Sequence, residues 1–256
     1  MESNEKRIAV LIDADNVSDK YIKFIFDEIP KYGTPTYKRI YGDWTTTQNA
    51  SWKKVLLDYS IAPIQQYGYT RGKNSTDSAL IIDAMDILYS GSVDGFCIIS
   101  SDSDFTRLAG RLRESGMLVI GMGEKKTPSP FIAACEIFKY LEILAANTEE
   151  KENSTDEKDE KNDAAKTAMA NKAQLTKSIK AIVNDISDDD GWAFLGAVGN
   201  RLNKRYPDFD SRNYGYARLT QLVESLKQFD IDTRKTANPH IKHRYIRIRT
   251  KKGNTV

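Results

Sequence analysis

The sequence predicts an α/β domain built on a doubly wound, mostly parallel five-stranded sheet, followed by a small C-terminal winged helix-turn-helix domain. Three observations carry that prediction. Apolar runs of strand length alternate with segments of helical spacing over roughly the first 146 residues, which is the signature of βαβ crossovers. Several of those runs stop abruptly at Asp or Ser. The composition then shifts at residues 147–173 to charged and small residues before helical periodicity returns.

Taken in order, Ile8 to Ile12 is an unbroken apolar run, and Asp13 is the first polar residue after it. Such a run suits a strand covered on both faces. Tyr21, Ile22, Ile25, Phe26 and Ile29 follow at helical spacing up to Pro30, and Tyr37 to Gly42 is the second strand. Strand, helix, strand implies a right-handed crossover. Trp52, Val55, Leu56 and Tyr59 mark the next helix face. Ile61 to Ile64 is a third, outer strand, because Pro63 cannot donate to a ladder. Ser75 to Tyr89 is a long helix closed by Gly91, Gly95 to Ser101 the fourth strand, Phe105 to Glu114 a helix, and Met117 to Met122 the fifth strand. Residues 129–144 should finish the domain with a helix and a short edge strand.

With 256 residues and 40% apolar composition, the chain has room for two domains and some unfolded sequence. No stretch approaches the roughly 18 to 20 apolar residues of a membrane helix, and the first residues lack a long apolar core, so the sequence reads as a soluble, cytoplasmic protein. Cys97 and Cys135 sit in apolar surroundings without a CxxC or Cys/His cluster, and read as buried reduced thiols. Residues 1–146 hold 17 Lys and Arg against 19 Asp and Glu, and residues 147–173 hold 5 against 8. Residues 174–256 hold 16 against 9, a net of +7. One module thus carries acids and the other suits a polyanion.

The acids have a pattern. Asp13 ends the first strand, Asp102 and Asp104 follow the fourth within Gly95–Phe105 (GFCIISSDSDF), and Asp77 opens the long helix. Strand ends and the starts of following helices share one edge of a parallel sheet, where ligands bind. With strand order 3-2-1-4-5, Asp13 and Asp102 face each other at the switch point. Two carboxylates about 5 Å apart repel by roughly 3 kcal/mol at an effective dielectric near 20. A group of them therefore needs protons or a cation. Oxygen ligands without clustered Cys or His suit a hard ion, Mg²⁺ or Mn²⁺. Such an ion activates water and polarises a phosphoryl oxygen, so phosphodiester hydrolysis is the natural chemistry. Asn16, Ser101 and Ser103 are placed to hold ligand waters or phosphate, and Arg71 and Lys73 to neutralise a backbone. Each also has a plainer role: Asn16 as a turn or cap residue, the serines as caps, the two bases as solvated loop charges, and Asp77 as a first-turn acid favoured by the helix dipole.

Leu11–Asn16 (LIDADN), Lys73–Asp77 (KNSTD) and Ser100–Phe105 (SSDSDF) resemble the three motifs of NYN domains, a PIN-like nuclease group that includes LabA-like proteins. The resemblance covers about residues 6–143. It implies a PIN-like sheet and metal-dependent ribonuclease activity, with Asp13, Asn16, Asp77, Asp102 and Asp104 as the acidic site. Members often have Gly where Ser101 stands. The run Asp13–Val17 also resembles the DxDx(T/V) motif of haloacid-dehalogenase-type phosphatases, but no cap insertion accompanies it. No GxxxxGK(S/T) or GxGxxG run points to a nucleotide cofactor.

Residues 147–173 hold Met169 as their single large apolar residue and read as a disordered acidic linker. From residue 174, three helix stripes follow: Leu175, Ile179, Ile182, Val183 and Ile186; Trp192, Leu195, Val198 and Leu202; Tyr216, Leu219, Leu222, Val223 and Leu226. Ile231 to Arg249 then alternates around Asn238-Pro239, as a hairpin does. Arg205–Tyr216 (RYPDFDSRNYGY) with the following Leu219–Glu224 resembles the OST-HTH or LOTUS family over about residues 173–249. That resemblance implies RNA binding or protein contact. Arg212, Tyr214, Tyr216 and Arg218, with Tyr245, Arg247 and Arg249 on alternating strand positions, are candidate phosphate and stacking contacts, although tyrosines also serve cores. His240 and His243 read as surface residues.

The reading that follows is a metal-dependent endoribonuclease that prefers single-stranded RNA and carries a tethered RNA-binding module. The alternative is a non-catalytic RNA-binding adaptor with a vestigial acidic pocket. The sequence leaves room for structured RNA, a protein partner of the C-terminal domain, and a homodimer.

Overall fold

Strand β1 (Arg7–Asp13) occupies the middle of a sheet because its apolar residues serve both faces, and Ile8 through Ile12 are fully buried. The structure, a computed structural model, describes residues 5–47, 49–67, 75–152, 163–235 and 242–249. The chain falls into two compact units that divide between residues 153 and 154.

In the first unit, β1 is followed by α1 (Ile22–Glu28), β2 (Thr34–Gly42), α2 (Trp52–Asp58), β3 (Ala62–Gln65), α3 (Ser75–Ser90), β4 (Gly95–Ile99), α4 (Thr106–Glu114), β5 (Leu118–Gly123), α5 (Ser129–Ala134), β6 (Ile137–Tyr140) and α6 (Leu141–Glu152). All pairings are parallel, in the order β3-β2-β1-β4-β5-β6. The predicted order therefore holds, but the sheet has six strands rather than five. The sixth, four residues long between two helices, is the short edge strand expected within residues 129–144.

Side chains alternate along each strand, so β1 feeds two cores. Ile8, Val10 and Ile12 pack with Ile25, Trp52, Leu56 and Leu141 on one face. Ala9 and Leu11 pack with Leu80, Ala84, Phe96, Ile98, Leu108 and Leu112 on the other. Each fully buried Ile, Leu or Phe contributes about 1.5–3 kcal/mol. These helices hold the sheet rigid and leave its carboxyl edge to polar residues. Helix α3 is also tied to β2 by polar groups: Arg39 and the Tyr41 hydroxyl both donate to the Asp83 carboxylate. Burial, and then the hydrogen bond to Asp83, hold the Tyr41 phenol protonated far above its ordinary range.

The second unit contains α7 (Asp163–Ile186), β7 (Ala193–Phe194), α8 (Leu195–Arg205), α9 (Leu219–Ser225), β8 (Phe229–Lys235) and β9 (Lys242–Ile248). Its sheet is antiparallel, in the order β7-β9-β8. Three helices and the hairpin enclose one core around Ile179, Val183, Val198, Leu202, Leu222, Phe229 and Ile246. This is the winged arrangement predicted. Helical backbone enters residues 147–173 from both ends, through α6 and α7, where the acidic composition suggested a tether; Ala, Glu and Lys are good helix formers. The centre of that segment, 153–162, lies outside the described residues, as do Arg71, Lys73 and the predicted turn at Asn238-Pro239.

The fit between β5 and its neighbours gives a direct check. A Cβ on Gly121 would stand 2.6 Å from both the Cys135 sulfur and the Phe138 ring. Gly121→Ala should therefore destabilise the first unit by about 1–3 kcal/mol, read as a lower denaturant midpoint.

Candidate active site

The register of β1 against β4 sets the site. Ile12 pairs with Ile99, so the next residues, Asp13 and Ser100, leave the sheet side by side. The Ser100 hydroxyl donates to Asp13 Oδ2 at 2.7 Å, and the Asn16 amide donates to the same oxygen at 2.8 Å. The Asp15 backbone N–H donates to Oδ1 at 3.1 Å. Asp13 is wholly buried. Burial raises its carboxyl above the ordinary 3.8, against the pull of the Ser100 and Asn16 hydrogen bonds.

Ser100 also organises the other strand end. Its oxygen accepts the Asp102 backbone N–H at 3.0 Å, and Asp102 Oδ1 accepts the Asp104 N–H at 2.9 Å. Asp102 thereby caps the short 3₁₀ turn Ser103–Phe105 that leads into α4. Asp77 lies in the first turn of α3, which packs on β1 and β2. Asp77, Asp102 and Asp104 each place one carboxylate oxygen within 4.8 Å of the others. Asp77 is buried, Asp102 half-buried and Asp104 exposed, so the group opens from the protein toward solvent.

Asp77 reports the crowding. Burial first, then the charges of Asp13, Asp102, Asp104 and Asp15, push its carboxyl up to about 6. Near neutral pH a positive charge at this point would relieve both the burial and the repulsion. A donor set of carboxylate oxygens alone fits a hard divalent cation.

The structure brings together Asp77, Asp102 and Asp104; Asp13, whose charge reaches Asp77, and Asn16, bonded to Asp13, lie outside that group. Asp13 contributes charge and position rather than a place among the three clustered oxygens. Ser101 is buried and its hydroxyl oxygen accepts the Glu124 N–H at 2.9 Å, tying the β4 exit to the β5 exit; Ser103 is exposed. Sequence reasoning passed over Ser100 and Asp15. Ser100 could have been found as the first polar residue after β4, level with the first polar residue after β1. A polar cleft of about 340 Å³ opens alongside, lined by Asp15, Asn16, Ser18, Asn49, Glu124 and Lys126.

In the second unit Arg212 is held by Asp210, with Nε to Oδ1 at 3.0 Å and Nη2 to Oδ2 at 2.7 Å. Tyr214 is half-buried beside Phe209, and Arg218 is exposed just before α9. Arg249 pairs with Asp230 at 2.9 Å and donates to the Lys227 carbonyl. Arg247 lies over the Trp192 ring, 4.6 Å from its centroid.

A doubly wound parallel sheet with carboxylates at its switch point, followed by a winged helical unit, defines a PIN-like α/β protein with an appended recognition module. The chain belongs to the NYN domain family: the NYN domain model matches residues 7–142. The OST-HTH/LOTUS domain model matches residues 171–241. The first domain is thus nuclease-like and the second is of an RNA-binding type. Among solved structures, the chain is similar to a Vibrio parahaemolyticus protein of unknown function, at 19% identity over 54% of this chain and 94% of that one, with a TM-score of 0.45. It is similar to an uncharacterized Nitrosomonas europaea protein at 42% identity over 29% of this chain and 72% of that one, with a TM-score of 0.27. A Chromobacterium violaceum protein shows 35% identity over 30% and 82%, with a TM-score of 0.25. No curated protein matches the chain.

Because the folded state holds the Asp77 proton more tightly than an unfolded chain with its ordinary 3.8, stability falls as pH rises from about 4 through about 6 and stays lower above. Asp77→Asn removes that loss. In chelator at pH 7.5 the variant should melt roughly 2–4 °C above wild type, about 1 kcal/mol after solvent screening, and the difference should vanish near pH 4.

Proposed function

We propose that the chain is a divalent-metal-dependent ribonuclease that cuts single-stranded RNA at the carboxyl edge of β1 and β4. The observation that carries this reading is the convergence of Asp77, Asp102 and Asp104 on a point where their oxygens lie within 4.8 Å of one another.

Asp77, Asp102 and Asp104 would hold Mg²⁺ or Mn²⁺. Such an ion supplies Lewis acidity toward a phosphoryl oxygen and lowers the pKa of water. The protein's share is positioning. Asp102 is oriented by the Asp104 amide, and the whole β4 exit is locked by Ser100, whose hydroxyl donates to Asp13 while its oxygen accepts from Asp102. Asp13, held by Asn16 and Ser100, adds negative charge behind the ligands and strengthens the site's preference for a cation. Asp77 must lose its proton for the full set to bind, so occupancy should rise with pH through about 6. The open side at Asp104 faces solvent, which suits an extended strand.

The C-terminal module, with its net charge of +7, would raise the local concentration of RNA at this edge. A cytoplasmic setting agrees with two buried free cysteines, Cys97 and Cys135. Among the described residues no helix is long and apolar enough to cross a membrane.

Incubating the purified chain with labelled single-stranded RNA should give internal cleavage with Mn²⁺ or Mg²⁺ and none with chelator. Asp102→Asn should lower the rate by on the order of 100-fold or more while melting no lower than wild type. RNA binding without cleavage under any metal would turn the reading into that of an adaptor.

A further inference from the structure

The second unit carries a row of rings that its core does not use. Along β9, Ile246 is fully buried and Ile248 packs on the core, so His243, Tyr245 and Arg247 belong to the opposite face. Cross-strand partners extend that face. Phe194 of β7 pairs with Tyr245, while Arg234 of β8 pairs with His243. The ring centroids of Phe194 and His243 lie 4.9 Å apart, and those of Phe194 and Tyr245 lie 5.7 Å apart. The Arg234 guanidinium stands 4.2 Å over the Tyr245 ring and 5.6 Å from that of Trp192, which also receives Arg247 at 4.6 Å.

Rings of this kind are normally buried, and their display on an outer sheet face needs a reason. Phe194 is 39% exposed, and its seat is built for it: a Cβ on Gly196 would come within 2.7 Å of the ring. The arginines are also constrained. Asp232 pairs with Arg234 at 3.0 Å and Asp230 with Arg247 at 3.8 Å. Their guanidinium groups thus stay beside the rings while remaining open to solvent.

We propose that this face, formed by Trp192, Phe194, His243 and Tyr245 with Arg234 and Arg247, is a stacking platform for the unpaired bases of single-stranded RNA. Aromatic and guanidinium planes accept base faces, which a duplex keeps hidden in its own stack. The occupant follows from charge. Residues 174–256 carry a net +7, which favours a polyanion. A proline-rich peptide would use the rings but has no use for the arginines. The inference rests on reading the C-terminal domain as the RNA-binding module, and it locates the contact on the sheet face, where Arg234 and Arg247 stand over the Trp192 and Tyr245 rings.

The test uses the full chain with Asp102→Asn in chelator, so that RNA stays intact, and reads fluorescence polarisation of a labelled 12-nucleotide single strand. Phe194→Ala and Tyr245→Ala should each weaken binding about tenfold, whereas Phe194→Tyr and Tyr245→Phe should stay within about twofold. The same strand in a duplex should bind about tenfold more weakly. Unchanged affinity in the double alanine variant with a wild-type melt, equal affinity for duplex, or displacement of RNA by a proline-rich peptide would each overturn the platform. Photocrosslinking of the chain before these ring substitutions removes any dependence on variant folding: crosslinks should fall on Trp192, Phe194 or Tyr245, and crosslinks confined elsewhere contradict it. If the chain binds no RNA, the module's assignment falls with the platform. Binding that ignores these rings sinks the platform alone, and cleavage by the wild type reports on the nuclease reading independently.

Discussion

Mutual repulsion among carboxylates at one sheet edge is the constraint on which the first domain's polar architecture depends. Burial first, and then the charges of Asp13, Asp102, Asp104 and Asp15, push the Asp77 carboxyl up to about 6. A fold tolerates such crowding only where hydrogen bonds fix each acid. Ser100 and Asn16 hold Asp13, the Asp104 amide holds Asp102, and the Arg39–Asp83–Tyr41 group holds the helix that carries Asp77. The apolar faces of β1 and β4 do the remaining work, because they make the edge rigid enough for the acids to stay close. Stability is given up locally, a cost that the proposed cation would offset.

Much of this was legible in the sequence because it obeys periodicity. An unbroken apolar run ending in Asp13, and another ending in Ser100 to Asp104, were enough to place two strand ends, and strand order then brought them together. What stayed hidden depends on register and on short elements. Ser100 and Ser101 are adjacent and chemically alike; the pairing of Ile12 with Ile99 decides that Ser100 reaches Asp13 while Ser101 serves Glu124. Strand β6 has four residues, so only its neighbourhood, within residues 129–144, could be read and not its bounds. Arg212 and Arg249 look like free cations in sequence, but Asp210 and Asp230 sit close enough in the folded unit to hold them.

The two units divide the electrostatic labour. The first concentrates negative charge at a point, which suits a cation and, through it, a phosphate. The second combines an excess of positive charge with ring faces on a sheet, which suits the rest of a nucleic acid strand. Neither feature follows from fold alone, since winged domains and doubly wound sheets serve many chemistries. Both follow from which side chains the register leaves outside the cores.

The central claim is that the acids at the β1–β4 edge form a cation site whose occupancy is linked to a proton. Calorimetric titration of the chain with Mn²⁺ near pH 6, in two buffers of different ionisation enthalpy, measures both together. The account predicts one ion per chain with roughly half a proton released on binding, and loss of the signal in Asp102→Asn. Absence of Mn²⁺ binding, or binding that releases no proton and survives that substitution, would contradict it.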